Sequence, residues 1–331
     1  MISYKIHTYE KYNVGEITSV LTTLPLGESK FLEIEFFSIG AGIRRISYID
    51  NENSINKLLT LSYDDIFESC HNPSLAGLTI GPNAGRLEAN KNITLSDDND
   101  SISVYIPANE DGTKQIHGGK HKISDVNWGF EGVDRLADDS LSIAFICHQV
   151  DGIDGWPGNR SYSVIYRIYE TGILEILLNG TTDMTSYINL TNHTYWLRNS
   201  LSLTVNTNTY IKNRDDCIPA EVISIDNTDQ YSVGADDILN NAFLLKDKTQ
   251  ADVTLEYANI PLHISLSTDA PAIMVYTGDY LDEYAEMYNG KVSAKACAIA
   301  LEPQELYPFT RTTLTTEDKP FKRNITYSFT L

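Results

Sequence analysis

Tyr162-Ser163-Val164-Ile165-Tyr166-Arg167-Ile168-Tyr169-Glu170-Thr171-Gly172-Ile173-Leu174-Glu175-Ile176-Leu177-Leu178 decides the fold class. Two runs dense in Val, Ile, Leu and Tyr flank a three-residue connection that ends in glycine. Residues of that kind suit the pleated, half-buried surface of a sheet. A short link containing Gly between two such runs is a hairpin signal. Similar runs recur at 31–39, 101–106, 141–148, 201–205, 263–266, 272–277 and 324–330, each bounded by Gly, Asn, Asp or Pro. Helical periodicity is confined to 59–68 and 282–288, where two or three turns are expected. Strands and helices do not alternate, which argues against a parallel α/β sheet. The pattern predicts an all-β chain, a large antiparallel sandwich or barrel with few short helices. There is no Pro/Ser-rich linker, low-complexity run or internal repeat, so residues 1–331 read as one domain. The acidic stretch 96–100 reads as a solvated hairpin loop.

The formal net charge is −20 at pH 7. Such a chain repels nucleic-acid phosphates and anionic membrane surfaces, so neither is expected as a partner. A neutral or cationic small molecule is, or no partner at all, with a monomer or homodimer as the assembly. Cys70, Cys147, Cys217 and Cys297 are widely spaced without a Cys-x-x-Cys pair, so neither a zinc site nor a disulfide framework is expected. The first residues lack the apolar core of a signal peptide, and no run is long enough to span a bilayer, which makes the cytoplasm the expected compartment.

Polar residues fall into several clusters. In 294–304, alternate positions hold Ala294, Ala296, Ala298, Ala300, Glu302 and Gln304. Strand side chains alternate between faces, so one face is a floor of methyl groups ending in a carboxylate and an amide. That describes either a ligand site with one acid at its rim or a strand packed closely on another sheet, with Glu302 at its solvent end. Arg86 follows a turn containing Gly81 and Gly85, where its planar fork is able to offer several donors. His117 precedes Gly118 and Gly119 at a tight turn, with Trp128 as a candidate apolar wall. Over 186–196 one strand face holds Ile188, Leu190 and Trp196, and the other Tyr187, Asn189, Thr191, His193 and Tyr195. The second face suits a carbohydrate cleft better than plain solvent exposure. A single sharply placed carboxylate and two reachable histidines indicate general acid–base chemistry. A glycosidase needs two carboxylates across the bond, for which Asp215 and Asp216 are weak candidates.

Gly85-Arg86, Ile116-His117-Gly118-Gly119 with Trp128, Asn189-Leu190-Thr191-Asn192-His193-Thr194-Tyr195-Trp196, Val275-Tyr276-Thr277-Gly278 and Leu301-Glu302-Pro303-Gln304 resemble, in order, the signatures of the aldose 1-epimerase (galactose mutarotase) family. The resemblance runs from about residue 30 to the end, with 314–329 similar to the last strands. It implies a galactose mutarotase-like sandwich that interconverts aldose anomers without cofactor or metal. It casts Glu302 as the general base and His193 as the general acid. Arg86, His117, Asn240, Tyr195 and Gln304 become sugar contacts. The chain departs from the family in two places. An Asp usual before the strand at 243–245 is replaced by Asn240 or Asn241, and a Gln usual before Tyr-Thr-Gly by Met274. Both changes put galactose in doubt as the preferred sugar. A non-catalytic carbohydrate-binding or sensing protein on the same fold is the alternative, since a fold does not dictate a function.

Overall fold

The computed structural model describes every residue except 226–228, 247–249, 282–285, 288–290 and 293–294; of 286–287 and 291–292 only the backbone pairing is described. The hairpin at 162–178 lies at the heart of the largest sheet. Strands Arg160–Tyr169 and Ile173–Thr182 pair antiparallel, with Tyr169 opposite Ile173. Gly172 closes the turn at φ 84°, a conformation that glycine adopts without steric cost. Along both strands every second side chain is fully buried: Tyr162, Val164, Tyr166, Ile168, then Leu174, Ile176 and Leu178. Each such burial stabilises by about 1.5–3 kcal/mol.

Around this hairpin runs a nine-stranded antiparallel sheet. Its order is Gly129–Arg135, Leu141–Gln149, Arg160–Tyr169, Ile173–Thr182, Phe321–Thr330, His263–Thr268, Val253–Tyr257, Leu201–Val205 and Tyr231–Val233. A five-stranded meander covers Ser3–Lys11 to Ile55–Leu58, and a six-stranded sheet carries the site. Phe36 and Ile34 of the meander, Phe145 and Tyr166 of the large sheet, and Phe243, Val275 and Leu301 of the six-stranded sheet share one apolar core. Tyr166 bridges two of the sheets, donating to Ala41 O at 2.6 Å. The fold is therefore the predicted antiparallel all-β architecture, and the nine apolar runs predicted as strands are present, whereas the polar segments 186–196 and 294–304 depart from the prediction.

Three expectations are corrected. Residues 59–68 hold a single helical turn, Ile66–Ser69, capped by the Asp65 carboxylate. Leu59 and Leu61 are extended instead, donating to Ile46 O and Tyr195 O, because they stitch the meander to the six-stranded sheet. The second expected helix, 282–288, lies largely outside the described residues, and Glu286–Met287 within it pair as a strand. The acidic stretch 96–100 does turn a hairpin, but Asp97 is not solvated. Its carboxylate accepts from the amides of Asn99, Asp100 and Leu314 and pairs with Lys319, which holds it well below the usual carboxylate range. Among the described residues no helix is long and apolar enough to cross a membrane. Among the described residues no disulfide joins Cys70, Cys147, Cys217 or Cys297.

Gly77 ties this fold to the site. It sits at φ 76°, and a Cβ built on it would lie 1.9 Å from Ile43 O. Its amide donates to His193 O, and its carbonyl accepts from Ile43 N and Asn192 Nδ2. Gly77→Ala is expected to destabilise by at least about 3 kcal/mol, since backbone strain and a main-chain clash combine. Urea unfolding checks this; a loss under 1 kcal/mol would contradict it.

Candidate active site

The six-stranded sheet runs Tyr195–Leu197, Ala298–Gln304, Ala272–Tyr276, Asn240–Leu244, Thr209–Asn213 and Pro219–Ser224. Cross-strand partners share a face, so its register lays the site out as rows. One row is Tyr195, Ala300, Tyr276, Asn240. The next is Glu302, Met274, Ala242, Ile211, and a third begins Gln304, Ala272, Leu244. The opposite face, with Ile299, Leu301, Ile273, Val275 and Phe243, belongs to the main core. A one-residue slip would bury Glu302 in that core, so hydrophobic packing sets the register that presents it.

A pocket of about 670 Å³ opens over these rows. Its lining includes Arg86, His117, His193, Tyr195, Asn240, Glu302 and Gln304, so the fold brings together the acid–base candidates and the sugar contacts that the family resemblance implied. His193 Nε2 stands 3.3 Å from Glu302 Oε1. Both side chains are almost fully buried. Burial pushes the Glu302 carboxyl up to about 8, against a partial pull downward by the Arg86 guanidinium. Burial likewise lowers His193 to about 4. Desolvation penalises the charged form of each group, and here it dominates.

Local structure explains how the partners are held. Asn192 Oδ1 accepts from Thr194 N, and its Nδ2 donates to Gly77 O, clamping the turn that presents His193. The His193 ring packs on Tyr195 at 4.8 Å and meets the edge of His117 at 5.4 Å. His117 sits at φ 55° with Nδ1 2.8 Å from Ala84 O. A carbonyl can only accept, so Nδ1 carries the proton and Nε2 of the neutral ring is an acceptor. Burial, with His193 and Arg86 nearby, holds His117 well below the usual imidazole range and so neutral. Gly118 is required beside it, because a Cβ there would lie 2.2 Å from Gly81 O. Arg86 forms a two-pronged pair with Glu110, at 2.9 and 3.1 Å. Gln304 Oε1 is buried without a protein partner.

Several sequence expectations change. The methyl floor is shorter than expected: Ala294 lies outside the described residues, and Ala296 is in a turn at φ 56°, donating to Gly278 O. Ala298 and Ala300 do lie on the strand, but they pack with Tyr195 and Tyr276 rather than facing open space. Small residues there make room for two tyrosine rings. The segment 186–196 is not one strand but three short pieces. Tyr187 packs on Trp156 at 6.1 Å, and Thr191 is fully buried, so neither joins a cleft. Asn189 fixes the end of the Glu302 strand by accepting from Glu305 N and donating to Glu305 O. Trp128 is a core residue whose indole donates to Ile123 O, not a pocket wall. Asp215 and Asp216 do line the pocket, though Asp216 is engaged by Arg214 at 2.8 and 3.0 Å. Asn240, not Asn241, faces the pocket, because Asn241 donates to Ile211 O on another path. Sequence reasoning missed Glu110, Lys114 and Tyr280 in the lining. Glu110 is 24 residues from Arg86, and no local pattern links the two. Among the described residues no cluster of His, Cys, Asp or Glu is arranged to hold a metal ion.

The architecture is that of a galactose mutarotase-like protein. The structure of galactose 1-epimerase from Lactobacillus acidophilus superposes with a TM-score of 0.81 at 18% identity, covering 99% of both chains. The aldose epimerase homologue from C. elegans gives 0.77 at 20% identity, over 94% of this chain and 99% of that one. In sequence, the aldose 1-epimerase of Streptococcus thermophilus is 25% identical over 328 residues, 88% of each chain. The aldose 1-epimerase family model matches residues 23–310. The chain belongs to the aldose 1-epimerase family, and so to the isomerases.

Proposed function

We propose that this protein interconverts the α and β anomers of a free aldose without a cofactor, with Glu302 as general base and His193 as general acid. The observation that carries the reading is their contact, Nε2 to Oε1 at 3.3 Å, on the wall of a pocket of about 670 Å³. Glu302 takes the C1 hydroxyl proton, the C1–O5 bond breaks, and its electron pair stays on O5, which takes the proton of His193. C1 becomes a carbonyl. Rotation about C1–C2 and the reverse proton transfers close the ring on the other face. Arg86 donates to the sugar and steadies the charge that moves onto its oxygens, while the His117 Nε2 acceptor takes a hydrogen bond from a sugar hydroxyl. Tyr195, Asn240 and Gln304 supply further contacts.

Reaction needs one proton in the pair: with Glu302 raised to about 8 and His193 lowered to about 4 that proton rests on Glu302, and the reactive form is the one in which it has passed to His193, leaving Glu302 ionised. Above about 8 the pair loses that proton and the acid is gone; below about 4 it takes a second and the base is gone. A bell-shaped kcat/KM with limbs near these values is expected from rates measured in non-catalytic buffers. A flat profile between pH 4 and 10 would remove this pair from the mechanism. The test of the function itself is polarimetry on freshly dissolved α-anomers of a panel of aldoses that includes D-glucose and D-galactose. Acceleration of at least one sugar supports the reading, and acceleration of none overturns it.

A further inference from the structure

The register around Glu302 gives its two flanks opposite chemistry. His193 stands just before the strand Tyr195–Leu197, on one side of the Glu302 strand. On the other side Met274 is directly across from Glu302, with Ala242 across from Met274 and Ile211 beyond. Met274 and Leu306 line the pocket. Behind them Ile211, Ala242, Ala272, Leu244 and Phe309 form a small apolar cluster. The flank of the carboxylate away from His193 is thus thioether and hydrocarbon. Asn240 lies in the neighbouring row, opposite Tyr276.

We propose that this apolar flank receives the C2 side of the sugar and makes the enzyme selective for aldoses that lack a C2 hydroxyl. The inference rests on the ring-opening chemistry proposed above. C1 bears its hydroxyl, the ring oxygen and C2. With the hydroxyl at Glu302 and the ring oxygen at His193, C2 points away from His193 and toward Met274. A hydroxyl aimed at the Met274 row itself gives up water for a thioether and hydrocarbon, with the amides of Asn240 and Gln304 only in the rows to either side, whereas a methylene fits it. Apolar pockets discriminate on this scale by about 10- to 100-fold. Met274→Gln places an amide on the same wall and restores a partner for the hydroxyl.

The experiment compares 2-deoxy-D-glucose with D-glucose and 2-deoxy-D-galactose with D-galactose, by polarimetry with the uncatalysed rate subtracted. It uses the wild type, Met274→Gln and Met274→Leu. Wild type is expected to show kcat/KM at least about 10-fold higher for a 2-deoxy sugar than for its parent. Met274→Gln should bring that ratio to about one or below, while Met274→Leu keeps it, which separates loss of selectivity from damage to the fold. A wild-type ratio at or below one, or a ratio that Met274→Gln leaves unmoved, overturns the inference while the anomerase reading stands. If none of the sugars is accelerated, the anomerase reading falls and this inference with it.

Discussion

Glu302→Gln is expected to lower anomer interconversion by about 10²- to 10⁴-fold, the usual worth of a positioned general base, and at the same time to make the protein harder to unfold at neutral pH. Both effects have one cause. Glu302 is buried beside His193 and is held up to about 8, against an ordinary value of 4.5. Below pH 4.5 the carboxyl is neutral in both folded and unfolded chains, so burying it carries no charge penalty. Between 4.5 and 8 the unfolded chain releases a proton that the folded one retains, so stability falls as pH rises. At pH 7 the loss amounts to at most about 3 kcal/mol. Glutamine has the same shape and no charge to desolvate. Urea unfolding of wild type and Glu302→Gln at pH 4.5 and pH 7.5 reads this directly. The variant should gain stability at the higher pH and little at the lower. An advantage that did not change with pH would show that Glu302 is not strained by burial.

His193→Asn is expected to cost a similar 10²- to 10⁴-fold in rate, with the opposite pH signature in stability. The imidazole is lowered to about 4 from 6.5, so its contribution is intact above pH 6.5 and is lost as pH falls toward 4. Relative to wild type, His193→Asn should therefore gain stability at pH 5 but not at pH 7.5. In the proposed mechanism the two residues transfer protons in one step, and groups that act as a unit are far from additive when removed. The double variant Glu302→Gln/His193→Asn should be little slower than either single one. Rate losses that multiplied in full would mean that the two act in separate steps, and would break the proposed pairing.

Much of this was legible along the chain, for identifiable reasons. The hairpin at 162–178 was readable because every second residue is buried, and burial with period two leaves its mark on the sequence. The strand Ser3–Lys11 left no such mark, since nearly all of it is exposed. Its place comes from pairing with Gly15–Pro25. The motif residues Arg86, His117, His193 and Glu302 all reach the pocket. The roles of their neighbours were not readable. Asn189 and Thr191 look like ligands in a list of polar residues, yet one is spent holding the backbone of Glu305 and the other lies in the interior. An alanine signals missing bulk but not what fills the gap, and Tyr195 and Tyr276 fill it here.

The sequence by itself determined the class of fold, because periodic burial and short glycine turns are local properties, and it singled out Glu302 and His193 as the pair proposed here to do the acid–base work. Only the tertiary structure decided that Met274 rather than a polar group stands across from Glu302, that Glu110 holds Arg86, and that burial moves Glu302 and His193 in opposite directions. Those facts depend on inter-strand register and on exclusion of water, which arise between segments far apart in the chain and belong to no single stretch of it.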